Sequence, residues 1–170
     1  MAQNQFRDAI ALLKADHRKV KNLFEQFSTA SSDRKEQMLA QKICTELKIH
    51  TIIEEEIFYP AFQGKIKAHT LDEAYVEHDG AKVLLNDIEA SNPQDAFYDA
   101  KVRVLCEEIV HHIHEEEMPT QGMFAQCRKT DVDLVMLRDS MLARREELRR
   151  EAKASGLQAA HLKVVGVLAA

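Results

Sequence analysis

Glycine and proline are scarce, five and three in 170 residues, so few turns punctuate the chain and few, long elements are expected. Cysteine is scarce too. Cys44, Cys106 and Cys127 are odd in number, scattered, and form no C-x-x-C pair, which argues against a disulfide framework or a thiolate metal site and for reduced, structural thiols. An excess of positive charge is missing: 23 Lys and Arg stand against 28 Asp and Glu, a formal net charge of −5, the wrong sign for nucleic-acid binding. A long hydrophobic run is missing as well. The longest uncharged apolar stretch, Val164–Ala170, falls far short of the roughly 20 residues that span a bilayer, so no membrane span is expected. Met1–Gln5 shows no basic segment followed by an apolar one, so no signal peptide is expected and the location is read as cytoplasmic. A Gly-rich phosphate loop, HExxH, a nucleophile elbow and a Cys–His pair are also absent.

What is present is ordinary in amount and specific in pattern. A hydrophobic fraction of 45% with 30% charged residues suits one globular domain with a sizeable core. Breaks fall at Ser28–Asp33, from Tyr59-Pro60 to Gly64, at Ser91–Pro93 and at Met118–Gly122, and the four segments they delimit carry apolar residues three and four apart, the mark of helices. Asp33 and Asp95 are placed as helix N-caps or first-turn residues. Beyond Gly122, the spacing of Leu134, Leu137, Met141 and Leu148 predicts a fifth helix, on which Arg144, Arg145, Arg149 and Arg150 alternate with Glu146, Glu147 and Glu151 as a solvated face. From Ala154 the chain is small and weakly patterned, either frayed or docked on a partner. The reading is therefore an all-α bundle over residues 1–153, with an additional C-terminal helix, and a tail over 154–170. That helix could cap the bundle or pair two subunits, so monomer and homodimer both stay open.

The four seams carry the chemistry. Segment one places Ile10, Leu13, His17, Val20, Phe24 and Phe27 three and four apart, and segment three places Leu71, Ala74, His78, Ala81, Leu85 and Ile88 likewise. Segment two runs Ile43, Leu47, His50, Glu54, Ile57, Ala61, and segment four runs Tyr98, Val102, Leu105, Ile109, His112, Glu116. Every inward stripe holds a histidine, and two add a glutamate one turn later.

Burying an imidazole or carboxylate without partners costs about 1–7 kcal/mol, against a typical domain stability of only about 5–15 kcal/mol. These six groups must therefore satisfy one another or share an ion. His and Glu four apart on a helix lie on one face and can converge on one ion or on two adjacent ones. Imidazole and carboxylate without sulfur favour an iron or manganese pair over structural zinc, with iron the first choice. Glu55, Glu56, Glu115 and Glu117 fall off the seam and are read as solvated, or as carboxylates behind the ligands. The seam selects His112 over its neighbours His111 and His114, while His69 and His161 are assigned to the surface.

The ordered set Asp16-His17, His50-Thr-Ile-Ile-Glu54-Glu-Glu-Ile-Phe-Tyr-Pro60, Glu77-His78-Asp79-Gly80 and His112-Ile-His-Glu-Glu116-Glu117 resembles the hemerythrin-like, or HHE cation-binding, domain over roughly residues 6–150. The resemblance implies an up-down-up-down four-helix bundle around two iron ions, an oxo- or hydroxo-bridged di-iron centre. His17, His50, His78 and His112 would be terminal ligands, with Glu54 and Glu116 bridging. Oxygen-carrying hemerythrins place a second histidine one turn from the first on helix three, where this chain has Ala74 and Lys82. That leaves a position for water, for a side chain such as Tyr75, or for an exogenous ligand.

The functions so implied are binding of a small diatomic ligand (dioxygen or nitric oxide) or of peroxide, or handling of iron itself, in a sensing, storage or stress role. The alternatives are a redox enzyme that turns over peroxide or nitric oxide, with Tyr75 or an off-seam glutamate as proton donor, and a metal-free helical interaction module.

Overall fold

The computed structural model describes residues 5–166, and every regular element among them is helical: α1 Ala9–Ser28, α2 Asp33–Ile53, a π-helical turn Glu54–Phe58, α3 Tyr59–Phe62, α4 Ala68–Glu89, α5 Tyr98–Glu117, α6 Met123–Cys127 and α7 Leu134–Ala154. Local chemistry sets the starts. Asp8, in extended backbone, accepts the Ala11 N–H at 2.8 Å and opens α1. Ser32 caps α2 and leaves Asp33 in its first turn. Asp95 stands two residues before the cap position of α5, Phe97, and its carbonyl accepts the Tyr98 N–H where the helix begins.

The four long helices form the up-down-up-down bundle that the resemblance implies, with α1 against α2 and α5, and α4 against the same two. The extra helix α7 lies along α1 and α2 of its own chain. All the seam residues of segments one, three and four are buried.

Segment two departs from its expected course. The break placed at Tyr59-Pro60 is not a break: the helix continues to Phe62 and turns away only at Gln63 and Gly64, the latter at φ +74°. Proline lacks an N–H and its ring crowds the carbonyl four residues back. Here the π turn accommodates it, with the Tyr59 N–H donating to the Glu54 carbonyl five residues back. One residue is thereby added to the turn, and the inward face moves by one position. Ile57 and Ala61, expected on the seam, are half-buried, whereas Phe58, Tyr59 and Phe62 are 0% exposed.

The core has two apolar halves. One gathers Val20, Phe24, Leu47, Leu85 and Leu105; the other gathers Ile10, Leu13, Phe58, Phe62 and Phe124. On α1 and α4 the seam histidines lie between them in sequence: Leu13 and Val20 bracket His17, and Ala74 and Ala81 bracket His78.

Two further expectations need correction. Arg145 does not belong to a solvated face. It is 5% exposed, donates to Asp16 Oδ1 at 2.8 Å and lies over the Phe6 ring. The tail is not frayed over its described part, because it docks on its own bundle. Lys48 Nζ donates to the Gln158 carbonyl at 2.9 Å, Asn86 exchanges two hydrogen bonds with Ala160, and Asp79 accepts the backbone N–H groups of Lys163, Val164 and Val165 at 2.7–2.9 Å. Residues 167–170, the end of the apolar stretch, lie outside the described residues. Among the described residues no helix is long and apolar enough to cross a membrane.

Candidate metal centre

His17, His50, Glu54, His78, His112 and Glu116 meet in the bundle interior, each 5% exposed or less. His50 Nε2 and His78 Nε2 stand 3.2 and 3.3 Å from Glu54 Oε2, and His17 Nε2 and His112 Nε2 stand 3.3 and 3.6 Å from Glu116 Oε2. The Nε2 atoms of His78 and His112 are 3.3 Å apart. Two overlapping donor sets result, His17, His50, Glu54 and Glu116 in one, and Glu54, His78 and His112 in the other.

Behind the rings stands a second layer of carboxylates. Nδ1 of His17 donates to Glu117 at 2.7 Å, that of His112 to Glu77 at 2.7 Å, and that of His78 to Glu55 at 3.0 Å. His50 Nδ1 faces Asp16 at 3.9 Å, beyond hydrogen-bond reach. Such partners fix the tautomer and aim the other nitrogen, Nε2, at the centre. Glu55 and Glu117 were legible as carboxylates behind the ligands by their position beside Glu54 and Glu116. Asp16 and Glu77 each precede a seam histidine directly, and that adjacency is the signal that could have singled them out. Glu56 and Glu115 lie outside this layer, Glu56 in an exposed pair with Arg144 and Glu115 in solvent.

The side chain that reaches the six groups is Tyr59, not Tyr75. Its hydroxyl lies 3.2 Å from Glu54 Oε2, 3.1 Å from Glu116 Oε1 and 3.2 Å from His78 Nε2. Tyr75 is half-buried and packs edge-on against the Tyr59 ring. Tyr59 was missed because an uninterrupted α-helical register points it off the seam. Below the centre, the short helix α6 sets Phe124 parallel to the His17 ring at 5.8 Å, closing the site with apolar surface.

The electrostatics are those of a site that wants cations. Burial disfavours a charged imidazole, yet the neighbouring carboxylates outweigh it: Glu116 and Glu117 raise the pKa of His17, Glu54 and Glu55 that of His78 and, most strongly, Glu54 with Asp16 that of His50. Burial likewise opposes the Glu54 carboxylate, and His50 and His78 hold it well below its usual range. Burial and the two glutamates push the Tyr59 phenol well up, so it keeps its proton. Even so, His17 Nε2, His50 Nδ1, Glu54 Oε1 and Glu116 Oε2 are buried without a hydrogen-bond partner. Buried polar atoms are rarely left so. All four belong to residues of one donor set, and imidazole with carboxylate is a donor set suited to a first-row cation.

Known proteins resemble this chain to different degrees. A DNA nickase of Nostoc sp. is 29% identical over 117 residues, which are 69% of this chain and 32% of that protein. The chain thus spans about a third of that relative. The crystal structure of a hemerythrin HHE cation-binding domain-containing protein from Mycobacterium kansasii superposes with a TM-score of 0.73 at 24% identity, covering 89% of this chain and 96% of the other. That likeness establishes the fold. The sequence model of the hemerythrin HHE cation-binding domain matches residues 8–124, a span that contains every group of the centre. The chain belongs to the hemerythrin HHE cation-binding domain family.

Proposed function

We propose that this protein holds a non-haem di-iron pair and uses it to bind dioxygen, nitric oxide or peroxide, or to handle iron, in a sensing, storage or stress role. One observation carries the reading: two donor sets share Glu54 and leave buried ligand atoms without hydrogen-bond partners. His17 and His50 would hold one ion and His78 and His112 the other, with Glu54 and Glu116 between them. Bound iron would supply redox equivalents and open coordination positions for a small ligand. Zinc would fit a sulfur-free, oxygen-rich set less well, and manganese stands second to iron because four of the six donors are imidazoles. The chain's own part is to aim four Nε2 atoms inward, to exclude water with Phe58, Phe62 and Phe124, and to keep a proton on the Tyr59 oxygen.

Metal analysis after aerobic purification tests this. About two irons per chain are expected for the parent, and less than one for Glu54→Ala or His78→Ala. A parent that carries no metal after reconstitution, and whose melting temperature is unmoved by chelation, overturns the reading in favour of a metal-free helical module.

The Tyr59 hydroxyl supports a second reading, turnover of peroxide or nitric oxide. The hydroxyl lies within hydrogen-bond reach of Glu54, Glu116 and His78, the position a proton donor to a ligand bound there would need. Steady-state consumption assays on the parent and on Tyr59→Phe separate binding from turnover.

A further inference from the structure

A cavity of about 150 Å³ opens between α4, α5 and the segment that joins α5 to α6. His112 and Glu116, 3% and 1% exposed, form its inner wall. Glu73 and Glu115 are exposed at its outer rim, and half-buried Glu77 stands between. Ala74, one turn before His78 on the same face of α4, contributes no more than a methyl group to the lining, so the space stays open.

Four of the lining side chains are thus glutamates, against a single lysine, Lys67. Acidic side chains at a surface are commonplace, and these alone would mean little. The independent observation concerns Glu116, which lines the cavity and is 1% exposed: its Oε2, on the side of His17 and His112, is buried without a hydrogen-bond partner. A carboxylate left unsatisfied at the end of a solvent-connected acidic cleft lowers the energy of a cation along the whole path. Low-dielectric walls focus that field. A neutral gas gains nothing from it, and an anion is repelled.

We propose that this cavity is the loading route for a divalent transition-metal cation. Glu73 and Glu115 draw the ion to the rim, the charge of Glu77, which stays on His112 Nδ1, adds to the field along the way, and Glu116 receives it. The inference rests on the metal reading above and assigns Glu73, Glu115 and Ala74 roles in access, none of them as ligands.

The test is anaerobic stopped-flow uptake of cobalt(II) by the metal-free full-length protein. For the double variant Glu73→Gln/Glu115→Gln, uptake at low ionic strength should slow by roughly three- to tenfold, and the difference should shrink to less than about twofold in 0.5 M NaCl. The final stoichiometry should match the parent. A charge-matched control on other exposed surface, Glu25→Gln/Glu107→Gln, should keep the parental rate. Ala74→Leu, which narrows the cavity, should slow uptake at every salt concentration. Rates for the rim variant equal to those of the charge-matched control overturn the loading route while leaving the metal centre intact. A parent that takes up no cobalt overturns the metal reading itself.

Discussion

Glu54 and Tyr59 are joined twice: the Tyr59 backbone N–H donates to the Glu54 carbonyl across the π turn, and the Tyr59 hydroxyl lies 3.2 Å from the Glu54 carboxylate. The backbone link creates the side-chain link. Five residues apart on an α-helix, the two would point to different faces, and only the wider turn brings the phenol to the carboxylate it caps.

Tyr59→Phe should therefore destabilise the metal-free protein by about 1–3 kcal/mol, the cost of leaving buried acceptors on Glu54 and Glu116 without their donor. Urea denaturation of the metal-free forms measures it. An unchanged midpoint would mean that the hydroxyl supports neither carboxylate.

Glu117 accepts from His17 Nδ1 at 2.7 Å and is part-exposed, so its side chain can change without opening the core. Glu117→Gln should keep the helical fold and weaken metal binding by roughly 10- to 100-fold, as loss of a carboxylate behind a ligating histidine does. Competition against a chelator of known affinity reads the change.

At Gly122 a Cβ atom would come within 2.6–2.8 Å of the Met118 N, the Met118 O and the Glu116 O. These are backbone atoms and cannot swing aside. Gly122→Ala should thus cost about 1–3 kcal/mol and disturb the end of α5 that carries Glu116. Thermal melts give the first effect and metal stoichiometry the second.

Burial, reinforced by Glu89, pushes the Cys44 thiol up to about 12. In the unfolded chain the thiol ionises near its ordinary value, so above that pH the unfolded state has lost a proton which the folded state still holds. Stability contributed by the neutral thiol is complete below about pH 8.5 and declines as pH rises toward the folded value, with a limiting slope of about 1.4 kcal/mol per pH unit. Cys44→Ala should flatten the fall in urea midpoint between about pH 9 and 11, and an identical slope in parent and variant would count against this account.

Asp79 is 0% exposed and gathers three backbone N–H groups of the tail together with Lys82 Nζ. Asp79→Asn should release that segment. Amide hydrogen exchange at Lys163–Val165 should accelerate by at least about tenfold, while protection in α1 and α2 persists.

The seams of segments one, three and four were legible because an a/d spacing leaves an unbroken α-helix one face to bury, and a polar residue repeated at the same phase on four helices has no ordinary core to join. The same spacing placed His17, His50, Glu54, His78, His112 and Glu116 inward, where the fold brings them together. Sequence was a poor guide where non-local or non-α geometry governs. Pro60 reads as a terminator, yet the π turn absorbs it and carries Phe58 and Tyr59 inside in place of Ile57. Arg145 reads as one more charge on a solvated helix. Only the packing of α7 against α1 delivers it to Asp16, 129 positions away along the chain.

By itself, then, the sequence determined the helical class, the four inward stripes and the identity of the groups on them, since each follows from a period of 3.6 residues and the cost of burying polarity. Tertiary structure alone decided that Tyr59 meets Glu54 and Glu116, which carboxylate stands behind which ring, and where the tail comes to rest. Those outcomes depend on a local change of helical pitch and on distances between segments far apart in the chain, and neither quantity is encoded in spacing along one helix.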